Sequence, residues 1–423
     1  MNPVYKICMI TQSAYPYDPR VRREAEVLEN AGYEVDVLCL PIEGDERIYK
    51  NGKITAYRIR KHPKSQEKIF NYLALTVSFF INAFITVNKL HRKRKYNAIQ
   101  IHNMPEFHVF AAIIQKITGV PVVLDIHDLT PELFMEKWPE KSKYFMPVIK
   151  MFEKLSCKFS NKIITVTEEC KKNLVGRGVP PEKITLVLNT ANSKIFSYNV
   201  NREFYRISSD AKLLYHGTVA KRFGLHVVIE AMPEILKVIP NTKFYIYGKA
   251  DASYKTYLEE LISLLNLEDN VIIKDSVSWE ELVTVMNYCD IEIVPYISSI
   301  YMNLSLSTKL FESASIGLAV VATELKSLRD VFEDSCVQYF NDSDPLDLAE
   351  KVISLCHNAH ERKNKTINAK IAVESISGEV MGKRYLSLMR EIMKVKELPP
   401  EKEDCSTEKE TISTHSMYSD DRR

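Results

Sequence analysis

The stretch Val122-Val-Leu-Asp-Ile-His-Asp128 is a short apolar run, interrupted once by Asp125, that ends in a polar pair and leads into Pro131 and Glu132. A β-branched run of this length, bounded by loop residues, reads as a strand buried on both faces. Strands of that kind belong to parallel sheets, whose crossovers are helices. Working outward, similar runs occupy 6–11, 34–40, 54–59 and 98–102 on one side and 162–167 and 184–188 on the other. Helical patterns separate most of them, and the one over 19–31 stops at Gly32, as a helix C-cap should. The periodicity lapses over 193–211, in the polar stretch Asn199-Val-Asn-Arg-Glu203, and then restarts. Strands are predicted at 213–216, 243–247, 271–274, 291–295 and 319–322. Helices are predicted at 224–238, 253–265, 279–288, 308–316, 346–356, 362–375 and 379–396. The fold class is therefore α/β, with two parallel-sheet domains at 1–195 and 205–376 facing across a cleft. The helix over 379–396 is expected to return to the first domain. Residues 398–423, charged and without apolar periodicity, read as a disordered tail.

The chain has 423 residues, with 57 Lys+Arg against 55 Asp+Glu and a formal charge of +2. That near-neutrality is a cancellation. Residues 1–195 hold 30 basic and 20 acidic side chains, and 51–100 alone hold 11 and one. The twelve glycines form neither G-x-G-x-x-G nor a P-loop, so the usual dinucleotide and Walker-type sites are excluded. The eight cysteines are scattered without C-x-x-C or zinc spacing, which fits a reduced, cytoplasmic compartment. The first fifteen residues have no signal-peptide pattern.

In a two-domain α/β chain, ligands gather at the carboxyl ends of the strands. His127 stands at such an end, and His102-Asn103 ends the strand expected beside it. Asp128 and Glu132 follow close by. No carboxylate or cysteine accompanies the histidines at metal-ligand spacing along the chain, so metal binding is a minor option and no metal site is assigned. The second candidate is His216-Gly-Thr-Val-Ala-Lys-Arg-Phe-Gly224, where Gly217 admits close approach of a ligand and Lys221 or Arg222 can neutralise phosphate. The third is Leu304-Ser-Leu-Ser-Thr-Lys-Leu-Phe-Glu312. Ser307 or Thr308 can cap a helix whose free N–H groups attract an anion, and Lys309 adds charge. With Arg222 facing it across a cleft, this segment describes a diphosphate clamp.

These segments, in this order, resemble the retaining, nucleotide-sugar-dependent glycosyltransferases of the GT4 type, built from two Rossmann-like domains in the GT-B arrangement. The resemblance rests on Asp18-Pro-Arg-Val-Arg-Arg-Glu-Ala25 with Gly32, Asp125-Ile-His-Asp128, Leu188-Asn-Thr190, His216-Gly217, Ile246-Tyr-Gly248, Asp290-Ile-Glu-Ile-Val-Pro295 and Thr308-Lys-Leu-Phe-Glu312. It covers about residues 5–395, and the ensemble is similar to a bacterial branch that makes cell-surface polysaccharides. Three departures stand out. Thr218 and Phe223 replace the basic residues of the family's donor loop, and Leu304 replaces the first acid of its E-x7-E pair.

The resemblance implies a nucleotide-diphosphate-sugar donor bound to the second domain by Gly217, Thr218, Ser307, Thr308 and Glu312, without a metal or other cofactor. Arg222 and Lys309 would stabilise the leaving diphosphate. His127 would stand beside the reacting sugar. Asp18, Arg20, His102, Asn103, Glu106 and Glu132 are acceptor-side candidates.

Residues 69–95 add a partner. A long apolar helix, Ile69 to Asn88, carries one polar stripe of Asn71, Ser78, Asn82 and Lys89 and ends in Lys89-Leu-His-Arg-Lys-Arg-Lys95. Arg58, Arg60, Lys61, Lys64 and Lys68 precede it. Residues 58–95 thus read as a surface that docks peripherally on the cytoplasmic face of an anionic membrane, which points to a lipid-linked acceptor. Nucleic acid is not expected, because the cations adjoin an apolar helix rather than interleaved aromatics. Two alternatives stay open at this level: a sugar-nucleotide epimerase of similar fold, and a catalytically silent nucleotide-sugar-binding protein on the membrane.

Overall fold

The computed structural model describes residues 4–41, 44, 46–59 and 69–395. Among these, eight strands form a first sheet: β1 (Lys6–Ala14), β2 (Glu34–Leu40), β3 (Ile48–Asn51), β4 (Ile54–Arg58), β5 (Ala98–His102), β6 (Val122–Ile126), β7 (Lys162–Thr165) and β8 (Ile184–Leu186). Their order is β3-β4-β2-β1-β5-β6-β7-β8. The ladder is parallel throughout except at β3, which runs antiparallel to β4. The strand order reverses direction at β1, the point where α/β sheets open a crevice for ligands. Register aligns Thr11 with His102 and His102 with Asp125, so the polar ends of β1, β5 and β6 meet at that crevice.

The second sheet holds β9 (Lys212–His216), β10 (Lys243–Tyr247), β11 (Val271–Lys274), β12 (Ile291–Val294), β13 (Ala319–Thr323) and β14 (Gln338–Phe340). It is all parallel in the order β11-β10-β9-β12-β13-β14. Residues 187–211 between the sheets form neither helix nor strand. The expected architecture of two parallel α/β domains is the observed one. β3 and β14 lie outside the strands expected from periodicity: β3 is a mostly exposed edge strand without an apolar face, and β14 is three residues long.

Helix Ile69–Arg94 crosses from β4 to β5. Leu75, Phe79, Ala83 and Val87, one helical turn apart, are buried in the core of the first domain. Leu73 to Arg94 is long and apolar enough to cross a membrane by composition, but one face of it is committed to the sheet. Of the polar stripe, Asn71 and Lys89 are exposed, and Ser78 and Asn82 are partly buried. Asn82 and Asn88 turn back onto the carbonyls of Ser78 and Phe84, both at 2.7 Å, satisfying their amides within the helix. Leu73, Val77, Ile81 and Ile85 are exposed as well. Two of the flanking cations are engaged by the domain itself. Arg58 is buried against Tyr49 and the Glu46 carbonyl, and Arg94 forks onto Asp36 at 2.9 and 3.1 Å. Arg60, Lys61, Lys64 and Lys68, and the tail at 398–423, lie outside the described residues.

The last helix, Gly378–Met393, packs on the first sheet. Tyr385 donates to Gln100 Oε1 on β5 at 2.6 Å, and Met381 Sδ accepts from Leu188 N at 3.4 Å. The seven described cysteines are all buried.

Candidate functional site

At the end of β6, Asp125 is fully buried in a strand that has no room for an unpaired charge. Arg20, from the first turn of helix Pro19–Asn30, grips it with Nε at 2.9 Å and Nη2 at 2.6 Å. The same guanidinium bonds Val187 O and Asn189 Oδ1, at 2.9 and 3.0 Å. His102 Nδ1 and His127 Nε2 each lie 3.0 Å from Asp125 Oδ2 and 3.2 Å from one another. Burial alone would raise the Asp125 carboxyl, but Arg20 and the two histidines hold it well below the carboxylate range. Burial would depress His102, and Asp125 outweighs it and raises the imidazole. Asp18 caps the helix through Arg20 N and Val21 N; burial opposes its charge, and His127, Ser13, His102 and the Val21 N–H together outweigh it and lower the carboxyl.

The ligand atoms of His102, Asp125 and His127 lie within 4.8 Å of one another, which corrects the expectation that no carboxylate accompanies the histidines. The carboxylate is near in space because the β5–β6 register puts it there. Both of its oxygens are nevertheless taken by Arg20, so a cation would face a fixed guanidinium. The donor set fits a hydrogen-bonded strut better than an ion.

The remaining acceptor-side candidates separate by depth. His127 and Asp18 are partly exposed, whereas Arg20, His102, Asn103, Glu106 and Glu132 are buried. Asn103 is a wedge: its amide accepts from His127 N at 2.8 Å and donates to Asp128 O at 2.5 Å and Glu106 Oε1 at 3.3 Å. Glu132 pairs with Arg177, which also holds Glu153. These five support the cleft wall from behind rather than forming its surface.

In the second domain, Lys309 projects from the start of helix Thr308–Ile316 beneath the loop that follows β9. Its ammonium donates to Tyr296 Oη at 2.9 Å and lies 5.2–5.4 Å from the ring centres of Tyr215, Phe223 and Tyr296. This aromatic surround favours a cation. Gly217 makes room for it, since a Cβ there would fall 2.6 Å from Lys309 Cε, on a backbone with φ +109°. Arg222 is exposed and stacks 4.8 Å over the same Phe223 ring, so the two cations lie within about 10 Å. Both belong to this domain. The two cations meet on one ring, so Arg222 does not face Lys309 across the cleft between domains as expected. Ser307 occupies the N-cap position, but its hydroxyl pairs with Tyr296 Oη at 2.9 Å instead of capping, which leaves the helix N–H groups open. Thr218 and Thr308 are exposed beside them.

Glu312, one turn into the helix, accepts from His216 Nε2 at 2.7 Å, and Glu292 on β12 lies 3.1 Å from His216 Nδ1. Burial would lower the imidazole, but Glu292 and then Glu312 raise it to about 9. Burial raises Glu292 itself. The Lys309 ammonium is pushed down by burial and held above its ordinary value by Tyr296, Glu312 and Glu292.

The loop between β12 and this helix joins the domains. Tyr301 donates to Asp128 Oδ1 at 3.0 Å, next to His127. Leu304 is buried in the apolar cluster of the first domain, and its carbonyl accepts from Thr167 Oγ1 at 3.1 Å. Asp125, Glu292, Tyr296 and Tyr301 contact these candidates, yet the sequence reading assigns none of them a role and meets Asp125 and Glu292 only within motifs. A single acid inside an apolar strand, as in Val-Leu-Asp-Ile and Ile-Glu-Ile-Val, is the available signal, because a buried carboxylate must have a partner.

Residues 199–372 match the family model of glycosyl transferases group 1, and residues 20–193 that of glycosyltransferase family 4. Over 206 residues the chain is 26% identical to a component of the phosphatidylinositol N-acetylglucosaminyltransferase of Arabidopsis thaliana, a match that covers 46% of this chain and 42% of that protein. The aligned part thus spans less than half of that relative. Among solved structures, a sucrose-phosphate synthase from Thermosynechococcus elongatus superposes with a TM-score of 0.74 at 16% identity, covering 93% of this chain and all of the other. The Anabaena protein HepE, in complex with UDP-glucose, superposes with a TM-score of 0.65 at 14% identity, over 91% and 99%. Both share the two-domain GT-B fold.

Proposed function

The chain belongs to the group 1 and family 4 glycosyltransferases, and on that premise we propose that it transfers a sugar with retention from a nucleotide diphosphate to a lipid-linked acceptor. The products would serve surface polysaccharide or glycolipid synthesis at the cytoplasmic face of the membrane. The observation that carries this reading is the placing of Lys309 and Arg222 on one ring, at an open helix N-terminus, with the His216–Glu312 pair one turn away. An uncapped N-terminus with two cations is a receptor for a diphosphate. The complex of the related HepE fold with UDP-glucose supports the same choice of donor.

In the reaction, the bond from the anomeric carbon to the diphosphate oxygen breaks, and an acceptor hydroxyl bonds that carbon from the same face. Its proton passes to the departing phosphate oxygen. Negative charge grows on the diphosphate, where Lys309, Arg222 and the helix N–H groups are already oriented, so stabilising it needs little reorganisation. These groups do the work expected of a metal, and the reaction is proposed to run without one. Glu312, fixed by His216, receives the ribose hydroxyls. His127, held by Asp125, faces the sugar from the first domain, with Asp18 beside it. The basic and apolar surface of helix Ile69–Arg94 brings the enzyme to anionic lipid.

The test is a panel of radiolabelled sugar nucleotides incubated with membrane lipid extract. Label should move to lipid, and the Lys309→Ala/Arg222→Ala double variant should not move it. Full turnover by that variant sinks the clamp. Nucleotide binding with no transfer or donor hydrolysis supports a silent binding protein, and interconversion of free donor supports an epimerase.

A further inference from the structure

Two neighbouring helices leave apolar faces uncovered on the first domain. On helix Pro139–Phe159, Tyr144, Val148, Met151 and Leu155 recur on one face and are 45–76% exposed. On helix Ile69–Arg94, Leu73, Val77, Ile81 and Ile85 do the same at 44–59%. Phe107 bridges the two helices, its ring 5.7 Å from Phe80 and 5.6 Å from Phe152. A contiguous apolar surface of this kind marks an interaction site. Along one edge of the first helix, 100° per residue places Lys143, Lys150, Lys154 and Lys158 together, flanking the apolar face.

Between the helices a cavity of about 170 Å³ opens, walled by Leu73, Val148, Phe152 and Trp138, with Lys137 at its rim. Glu106 and Thr130 also line it. Burial pushes the Glu106 carboxyl up toward its neutral form, which suits an apolar cavity. Glu106 accepts from Asn103, and Asn103 in turn accepts from His127 N. The apolar cavity therefore ends one hydrogen-bonded residue away from the strand end that carries His127.

We propose that this groove seats the hydrocarbon chain of an anionic, phosphate-bearing lipid acceptor, with its head directed to the His127 end. The proposal rests on the transferase reading above and adds the acceptor's binding site. Charge decides the occupant. A second copy related by a two-fold axis would bring the same lysine edge against itself, which is repulsive, whereas a lipid phosphate is attracted to it.

The test uses the full chain with Trp279→Phe, which leaves Trp138, in the groove, as the sole tryptophan. Dodecyl phosphate below its micelle concentration should change Trp138 emission saturably. Phe152→Ser should weaken that binding about tenfold or more. Ile85→Asp, outside the cavity, should lower binding to anionic phosphatidylglycerol vesicles and leave dodecyl phosphate affinity within about twofold. An absent or non-saturable response, or a Phe152→Ser variant with native affinity and native circular dichroism, overturns the groove. So does a dimer on gel filtration that Phe152→Ser splits. Nucleotide binding and donor hydrolysis are followed on the same samples: their loss alone, with dodecyl phosphate still bound, refutes the transferase reading and not the groove.

Discussion

Replacing His216 by glutamine should flatten the pH dependence of the second domain's stability between neutral and alkaline pH. In the native chain this imidazole is buried between Glu312, at 2.7 Å, and Glu292, at 3.1 Å, and its pKa rises from 6.5 to about 9. A group whose folded pKa is raised stabilises the fold fully below its unfolded value and loses that contribution as pH climbs through the folded one. The window therefore runs from about pH 6.5 to about pH 9, and the two values differ by the equivalent of about 3 kcal/mol. Because Glu292 is itself pushed up by burial and shares the proton, 3 kcal/mol is a ceiling. Urea titrations near the two ends of the window, followed by Trp279 fluorescence in a Trp138→Phe background, report on this domain. The native protein should lose up to about 3 kcal/mol more than the His216→Gln variant across that window. Parallel pH profiles would refute the buried imidazolium.

Three further outcomes follow from the geometry. Lys309→Ala alone should cut turnover by about 10²–10³-fold at saturating donor, as measured by initial rates. Arg20→Ala should cost about 3–5 kcal/mol in urea unfolding, because Asp125 and Glu24 are left buried without their partner, and Arg20→Lys should restore only part of it. Leu304→Glu puts a carboxylate into the apolar cluster of the first domain, so the domains should part. Small-angle scattering checks this, and an unchanged radius of gyration would count against Leu304 as an interdomain plug.

Much of the fold was legible along the chain. The strands at 34–40, 98–102, 243–247 and 271–274 coincide with β2, β5, β10 and β11, because apolar period and loop residues are local properties. β3 was invisible for the same reason, since an exposed edge strand needs no apolar face. Among the site residues, His127, Lys309 and Glu312 stood out as strand-end or helix-start residues. Arg20, Glu106 and Glu132 looked equally available, and nothing in their spacing reveals that each is buried against a partner.

By itself, the sequence determined that this chain makes two parallel α/β units with polar residues at the strand ends. Tertiary structure alone decided what those residues touch. Sheet order brings Arg20 to Asp125, 105 residues away, and His216 to Glu312, 96 residues away. It also places Leu304 in the other domain's core and leaves apolar residues of helix Ile69–Arg94 exposed beside its polar stripe. Periodicity states that a face is apolar. Which apolar face is covered depends on how many such faces compete for one sheet, and that is settled only when the chain is packed.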